Sequence, residues 1–138
     1  MKKIILFLFL FAGILQMNSQ TKNYPLTINF YSVCCGTPDD NLIKNTIKTF
    51  KKQYKIKTIK AFHVSKLGKE GEHAYVFILS ELNNTQRKNL ILKLQKTIAI
   101  WDSNKTSSQG GYSITENVDP SDWKALLNDK TRTKIVAL

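Results

Sequence analysis

The stretch LTINFYSVCCGTPDD, residues 26–40, predicts how the chain passes from its first strand to its first helix. Residues 26–34 alternate apolar positions with other side chains and are rich in β-branched and aromatic residues, which is typical of a β-strand. Thr37, Pro38 and Asp40 then stand at the positions of an N-cap hydroxyl, a first-turn proline and the acidic partner of a capping box. We therefore expect a strand, a tight turn and a helix in direct succession.

The predicted helix has an apolar face and a basic flank. Its apolar side chains recur at spacings of four, three and four, which places them on one side of a helix: Ile43, Ile47, Phe50 and Tyr54. A row of lysines follows the same spacing one residue later: Lys44, Lys48, Lys51 and Lys55. The apolar face should pack on a sheet, and the lysine flank should remain in solvent.

The remaining pattern predicts a hairpin, a second helix and a further strand. Residues 56–67 and 73–80 are strand-like, and the turn between them contains two glycines. Residues 83–101 carry an apolar stripe of helical spacing that ends at Trp101, with an asparagine as the expected cap. A polar, glycine-containing loop then leads to a short strand at residues 112–118.

The order β-α-β-β-α-β resembles a ferredoxin-like domain at the level of topology. This resemblance implies an α+β fold over residues 26–118, in which a four-stranded antiparallel sheet carries both helices on one face. Residues 119–138 would form a C-terminal appendage: a brief helix around Trp123 and Leu126, then an edge strand.

The first 20 residues, MKKIILFLFLFAGILQMNSQ, have the composition of a secretory signal peptide. Lys2 and Lys3 precede an apolar run, residues 4–15, that is too short to span a bilayer core of about 30 Å as a helix. We therefore expect export of residues 21–138 as one domain, either to the periplasm or out of the cell. The alternative is an uncleaved N-terminal anchor. No later segment is apolar enough to be transmembrane.

The charge balance of the chain is strongly basic. It holds 21 lysines and arginines against 10 acidic residues, for a formal net charge of +11, and removal of the two leader lysines lowers this charge to +9. Such a charge favours an anionic surface or an acidic protein as partner. The alternative is that the lysines only solubilise the domain, because they are spread along the chain rather than grouped in one block.

Cys34 and Cys35 are adjacent and precede the first helix, so they admit a structural and a chemical interpretation. The structural interpretation makes them a junction, in which Cys34 packs as a small apolar residue and Cys35 lies near the turn. The chemical interpretation is a reactive thiol pair, since the N-terminus of a helix stabilises a thiolate. We expect the structural interpretation, in which the two cysteines form the junction between the strand and the helix.

A metal site would draw on Cys34, Cys35 and His63, the candidate ligands, with His73 as a further imidazole. Ferredoxin-like metal-transfer domains separate their two cysteines by two residues, whereas the two cysteines here are adjacent. Zinc normally requires four ligands at defined spacing. We therefore expect no metal and no cofactor.

Catalysis and nucleic-acid binding both find weak support in the sequence. Nucleophilic catalysis would need Cys35 beside His63, and no phosphate-binding loop, G-x-S-x-G or H-E-x-x-H motif occurs. Tyr75 and Phe77 could form an aromatic platform for bases, but the surrounding residues do not match an RNA-recognition motif. We expect neither an enzyme nor a nucleic-acid partner.

These exclusions favour a small exported binding protein of unknown specificity. We expect Tyr31, Tyr75 and Phe77 on an open sheet face, which either the C-terminal tail or a partner would cover. That partner would be another protein or a second copy of the chain, and the lysine flank could bind an anionic surface. The alternative function is a periplasmic thiol or metal protein, binding copper or zinc through Cys34 and Cys35.

Overall fold

A computed structural model describes residues 24–138. The predicted signal peptide, residues 1–20, lies outside the described residues. Within that described part, the chain forms five strands and three helices: β1 (Tyr24–Tyr31), α1 (Asn41–Tyr54), β2 (Lys60–Val64), β3 (His73–Ile78), α2 (Asn84–Asn104), β4 (Gly111–Val118), α3 (Pro120–Asn128) and β5 (Thr133–Ala137). None of these three helices has the length and apolar content needed to cross a membrane.

All five strands belong to one antiparallel sheet in the order β4-β1-β3-β2-β5. The predicted α+β class is confirmed, but the sheet of the described residues has five strands rather than four. The additional strand, β5, pairs with β2 from Thr133 opposite Val64 to Ala137 opposite Lys60. Without β5, the backbone N–H and C=O groups on the outer edge of β2 would be unpaired. Because β5 forms hydrogen bonds with these groups, the C-terminal appendage becomes part of the sheet.

One face of the sheet forms the main core together with α1 and α2. Ile28 and Phe30 of β1 lie in this core, at 0% and 1% exposure. Tyr75 pairs directly with Ile28, so Tyr75 and Phe77 share its face and are 3% and 0% exposed. Their predicted place on an open sheet face is therefore wrong. The strand β3 lies in the interior of the sheet, with a neighbouring strand on each side. Because alternate side chains of a strand point to opposite faces, Tyr75 and Phe77 both lie on the face that the helices cover.

The opposite face of the sheet is covered in part by α3. Val64, Ala74 and Val76 alternate with the core residues and are nevertheless fully buried. Since β4 and β5 are the two edges of the sheet, the segment between them has to cross it, and α3 contacts β2 and β5. The C-terminal tail thus closes part of this face. Tyr31 lies on the same side at the end of β1, half-buried, and its hydroxyl accepts a 3.1 Å hydrogen bond from Lys105 Nζ.

The start of α1 differs from the predicted capping box. The helix begins at Asn41, and its N-cap residue, Asp40, makes no capping hydrogen bond with its side chain. Asp39 takes that role instead, because its carboxylate accepts a 2.8 Å hydrogen bond from the Asn41 N–H. The Asp40 carboxylate is therefore available for long-range contacts.

The lysine flank of α1 is only partly free in solvent. Lys44, Lys48 and Lys55 are exposed, as predicted. Lys51 is half-buried, and its ammonium donates a 2.6 Å hydrogen bond to the carbonyl oxygen of Leu138. The predicted basic surface is therefore reduced at Lys51, and the ammonium of Lys44, although exposed, is ion-paired with Asp40.

Candidate functional site

Three loops meet at the end of the sheet where β1 leads into α1. The Ser32 hydroxyl, just after β1, donates a hydrogen bond to the Glu70 carboxylate in the hairpin turn between β2 and β3. The Tyr112 hydroxyl of β4 donates a 3.0 Å hydrogen bond to the carbonyl oxygen of Asp39. These contacts bring the first loop against the hairpin turn and against the start of β4, and Gly110, in the loop that precedes β4, lies against the backbone of Tyr31 and Gly36.

Cys34 and Cys35 are both exposed free thiols in the first of these loops. The predicted burial of Cys34 is wrong, because β1 ends at Tyr31 and the chain leaves the sheet in a bend before it reaches the cysteines. In this bend, the two Sγ atoms lie 2.7 Å apart. The hydrogen bond with Cys35, together with its charge, raises the pKa of the Cys34 thiol.

A pocket of about 330 Å³ opens beside the thiol pair. Its walls come from the first loop, from the end of α2 and from the loop before β4: Cys35, Gly36, Thr37, Pro38, Trp101, Ser108, Gln109 and Gly110. The Trp101 ring is held edge-to-face against Tyr112 at a centroid distance of 4.9 Å. A Cβ atom at Gly110 would collide with the backbone oxygens of Tyr31 and Gly36, so a glycine is needed for the two loops to approach. We call this cavity the Trp101 pocket.

A polar network lies next to these loops and is centred on Asp40. Its carboxylate contacts His73 Nε2 at 2.8 Å through Oδ1 and Lys44 Nζ at 3.1 Å through Oδ2. The Tyr75 hydroxyl donates a 2.5 Å hydrogen bond to Oδ2. The second ring nitrogen of His73, Nδ1, lies 2.9 Å from the carbonyl oxygen of Gly71. The Asp40 network, as we call these four side chains, thus ties the start of α1 to β3.

The hydrogen bonds of the Asp40 network shift the pKa values of two of its members. Both ring nitrogens of His73 face oxygen atoms that only accept, the Asp40 carboxylate and the Gly71 carbonyl oxygen. Burial raises the pKa of Asp40, but the bonds from Tyr75, Lys44 and His73 more than offset this effect and hold the pKa below its ordinary value. Burial and the bonded Asp40 carboxylate raise the pKa of Tyr75.

His63 lies beside the Asp40 network. On β2, its ring is 5.2 Å from the His73 ring and 5.1 Å from the Tyr75 ring, measured between centroids. Burial, followed by the charge of His73, lowers the pKa of His63. Within residues 24–138, no three side chains of the types His, Cys, Asp and Glu are grouped to hold a metal ion. The candidate ligands Cys34, Cys35 and His63 are therefore not assembled into such a group.

The Asp40 network was missed by the sequence reasoning. Asp40 matched a capping box, and this local explanation hid its contact with His73, which lies 33 residues further along the chain. One signal was present: Asp39 and Asp40 are two adjacent acids, while a cap uses one carboxylate. The sequence places Trp101 at the end of the apolar stripe of the second helix; it packs against the core, and it also lines the pocket.

Comparison with protein-family models, with curated proteins and with solved structures gives no match for this chain. The function has to be argued from the site itself. At this end of the sheet the site offers an exposed thiol pair, the Trp101 pocket and the Asp40 network.

Proposed function

We propose that this chain is a small exported, non-enzymatic binding protein that accepts one side chain of a protein partner in the Trp101 pocket. The observation that carries the proposal is the pocket of about 330 Å³ between the first loop and the end of α2. Pockets for small molecules and cofactors span roughly 300–1,000 Å³. A cavity at the lower limit of this range accommodates one large side chain.

The composition of the pocket supports this type of occupant. Trp101 offers an aromatic surface that packing against Tyr112 has already oriented, so little conformational entropy is lost when a partner binds. Tryptophan is among the residues that most often dominate the binding energy of protein interfaces. The serine, glutamine and glycine residues that also line the pocket supply hydrogen-bonding groups beside this aromatic surface.

The charge of the chain supports an acidic partner. The formal net charge is +11 for the whole chain and +9 without the two leader lysines, and Lys48 and Lys55 are exposed along α1, which starts close to the pocket-lining Pro38. Complementary charge mainly accelerates association and gives it a salt dependence. Binding is therefore expected to weaken as the salt concentration rises.

The hydrogen bonding of the Asp40 network supports a non-enzymatic role. General acid–base catalysis requires a group that can reach the proton of a substrate. Both nitrogens of His73 are already bonded within the protein, and both oxygens of Asp40 have partners. Such an internally satisfied network stabilises the loop and needs no substrate to complete it.

The test is selection of peptides from a random library on the purified protein, with Trp101→Leu as the counter-selection target. We expect the selected peptides to be acidic and to share an aromatic or aliphatic anchor residue. Their affinity for Trp101→Leu should be lower by about tenfold or more, which corresponds to a loss of about 1.4 kcal/mol of binding free energy. Amide chemical shifts should change at Gly36 and Gly110.

Trp123→Leu is the matched control, because Trp123 lies on α3 and is absent from the pocket lining. It should leave affinity unchanged. Peptides that bind Trp101→Leu as well as the unaltered protein, or that shift only residues remote from the pocket, would contradict the proposal.

The exposed thiols favour a second candidate function, a periplasmic protein that binds copper or zinc. The specific observation is that the two Sγ atoms lie 2.7 Å apart in solvent, where a soft metal ion could reach both. Equilibrium dialysis of the reduced protein against Cu(I) and Zn²⁺ tests it. One ion retained per chain, and lost in Cys34→Ser, would favour this candidate, whereas no retained metal would exclude it.

We also propose that residues 26–118 form a ferredoxin-like core. This proposal is supported by the order β4-β1-β3-β2 with antiparallel neighbours, in which the first four strands and two helices follow the β-α-β-β-α-β sequence. In this view, α3 and β5 extend the core along the outer edge of β2.

A further inference from the structure

We infer that Cys34 and Cys35 form a reversible disulfide with each other, so that the loop between β1 and α1 carries a two-electron redox site. The inference concerns the thiols themselves and holds whatever the Trp101 pocket binds. Both side chains are exposed, so an oxidant has direct access to them.

The backbone of the loop places the two sulfurs on the same side. Consecutive residues of a strand point to opposite faces, and adjacent cysteines within a strand could not meet. Here, β1 ends at Tyr31 and the cysteines follow in a bend, so that their Sγ atoms are 2.7 Å apart. Gly36 follows the pair with φ +94, a conformation that glycine adopts at little cost and that lets the chain turn toward α1. The thiols therefore meet without displacement of a strand or helix.

The loop is also anchored on both sides of the cysteines. The Gly36 N–H donates a 3.2 Å hydrogen bond to the Ser32 hydroxyl, which itself donates to the Glu70 carboxylate. This closes a short loop around residues 33–35. Holding the two thiols together in the reduced state lowers the entropic cost of joining them.

The reaction requires a disulfide-bearing oxidant, such as oxidised glutathione or a thiol–disulfide oxidoreductase. The thiolate of one cysteine attacks a sulfur of that oxidant, which releases one oxidant thiolate and leaves a mixed disulfide. The thiolate of the second cysteine then attacks the mixed disulfide and releases the second oxidant thiolate. The protein loses two protons and two electrons, and the oxidant, having taken up both, leaves as two thiols.

The resulting disulfide should be easily reduced. Consecutive Cα atoms across a trans peptide are about 3.8 Å apart, whereas the Cα atoms of most disulfide-bonded cysteines are at least about 4.4 Å apart. The eight-membered ring is therefore strained. Strained and exposed disulfides are the labile ones, and this bond should open again when reduced glutathione is added.

Ring closure should be visible at the Trp101 pocket. Cys35 is part of the pocket wall, with Trp101 on the opposite element. Once the sulfur of Cys35 is fixed to that of Cys34, its position relative to the indole changes. Intrinsic fluorescence can report this change, provided that the second tryptophan, Trp123, is replaced by phenylalanine.

The experiment oxidises the reduced Trp123→Phe protein with glutathione disulfide and follows thiols, mass and fluorescence. We expect the loss of both free thiols, a monomer on a non-reducing gel, and a chain mass lower by the two hydrogen atoms lost. The fluorescence of Trp101 should shift in parallel, and reduced glutathione should reverse all these changes.

Cys34→Ser and Cys35→Ser in the same background are the matched controls. Each should stop at a single mixed disulfide with glutathione, without the fluorescence shift that follows ring closure. The inference is overturned if the oxidised protein carries glutathione on both cysteines or forms disulfide-linked dimers. These readouts do not depend on a pocket ligand, so their failure and the failure of peptide binding are distinguishable.

Discussion

Replacing Phe30 with alanine is expected to lower the free energy of unfolding by about 4 kcal/mol, the range typical of a buried phenylalanine. Phe30 is 1% exposed and lies one residue before the end of β1. Its ring stacks on His73 at a centroid distance of 4.1 Å and meets Tyr75 and Tyr112 edge-on at 5.6 and 5.0 Å. The substitution would leave a cavity and remove three aromatic contacts, each of which stabilises beyond its buried area.

Urea denaturation at neutral pH measures this loss, with Phe30→Leu as the comparison. Leucine keeps most of the apolar volume but none of the ring contacts, so it should cost about 1.5 kcal/mol. A loss below about 1 kcal/mol for Phe30→Ala would mean that the core collapses around the vacancy and that these contacts contribute little.

The place of Phe30 illustrates what periodicity predicts well. Alternation in β1 and the spacing in α1 identify residues that share one face, and Ile28, Phe30, Ile43 and Ile47 are buried together. Alternation does not say which face of a central strand the helices cover. In β3, residues 74–77 are all buried, and the prediction placed Tyr75 and Phe77 on the wrong side. The sheet order decides this assignment, and it depends on contacts far apart in sequence.

The candidate site shows a similar limit. Cys34 was expected in the core because the strand pattern continues through it, but β1 ends three residues earlier. The bend leaves no local trace besides Gly36. The Trp101 pocket joins the first loop to the end of α2, across more than half of the described chain, and no pattern in a single window can predict such a meeting. Long-range contacts of this kind are what the sequence alone leaves open.

Asp40→Asn is expected to lower the free energy of unfolding by about 2 kcal/mol at pH 7, because charge-assisted hydrogen bonds contribute about 1.5–3 kcal/mol. The neutral amide of the variant cannot form charge-assisted hydrogen bonds with His73 and Lys44. Since the Asp40 side chain is 23% exposed, water compensates part of this loss. Since the pKa of Asp40 is lower in the folded protein, its contribution is complete above the unfolded value of about 3.9. It is lost as the pH falls through the folded pKa. The stability difference between the two proteins should therefore shrink between about pH 5 and about pH 2.

Asp39→Asn is the control that separates the Asp40 network from helix capping. Asp39 is exposed, and the contact of its side chain is the capping bond from the Asn41 N–H, which an asparagine side chain accepts equally well. Its effect should stay within about 0.5 kcal/mol, as for ordinary surface substitutions. If the two variants lost the same stability, or if the loss in Asp40→Asn were unchanged at about pH 2, the ionised contacts of Asp40 would contribute no stability of their own. A large, acid-sensitive loss at Asp40 alone would instead show that the ionised carboxylate at the centre of the Asp40 network stabilises the fold by tying the start of α1 to β3.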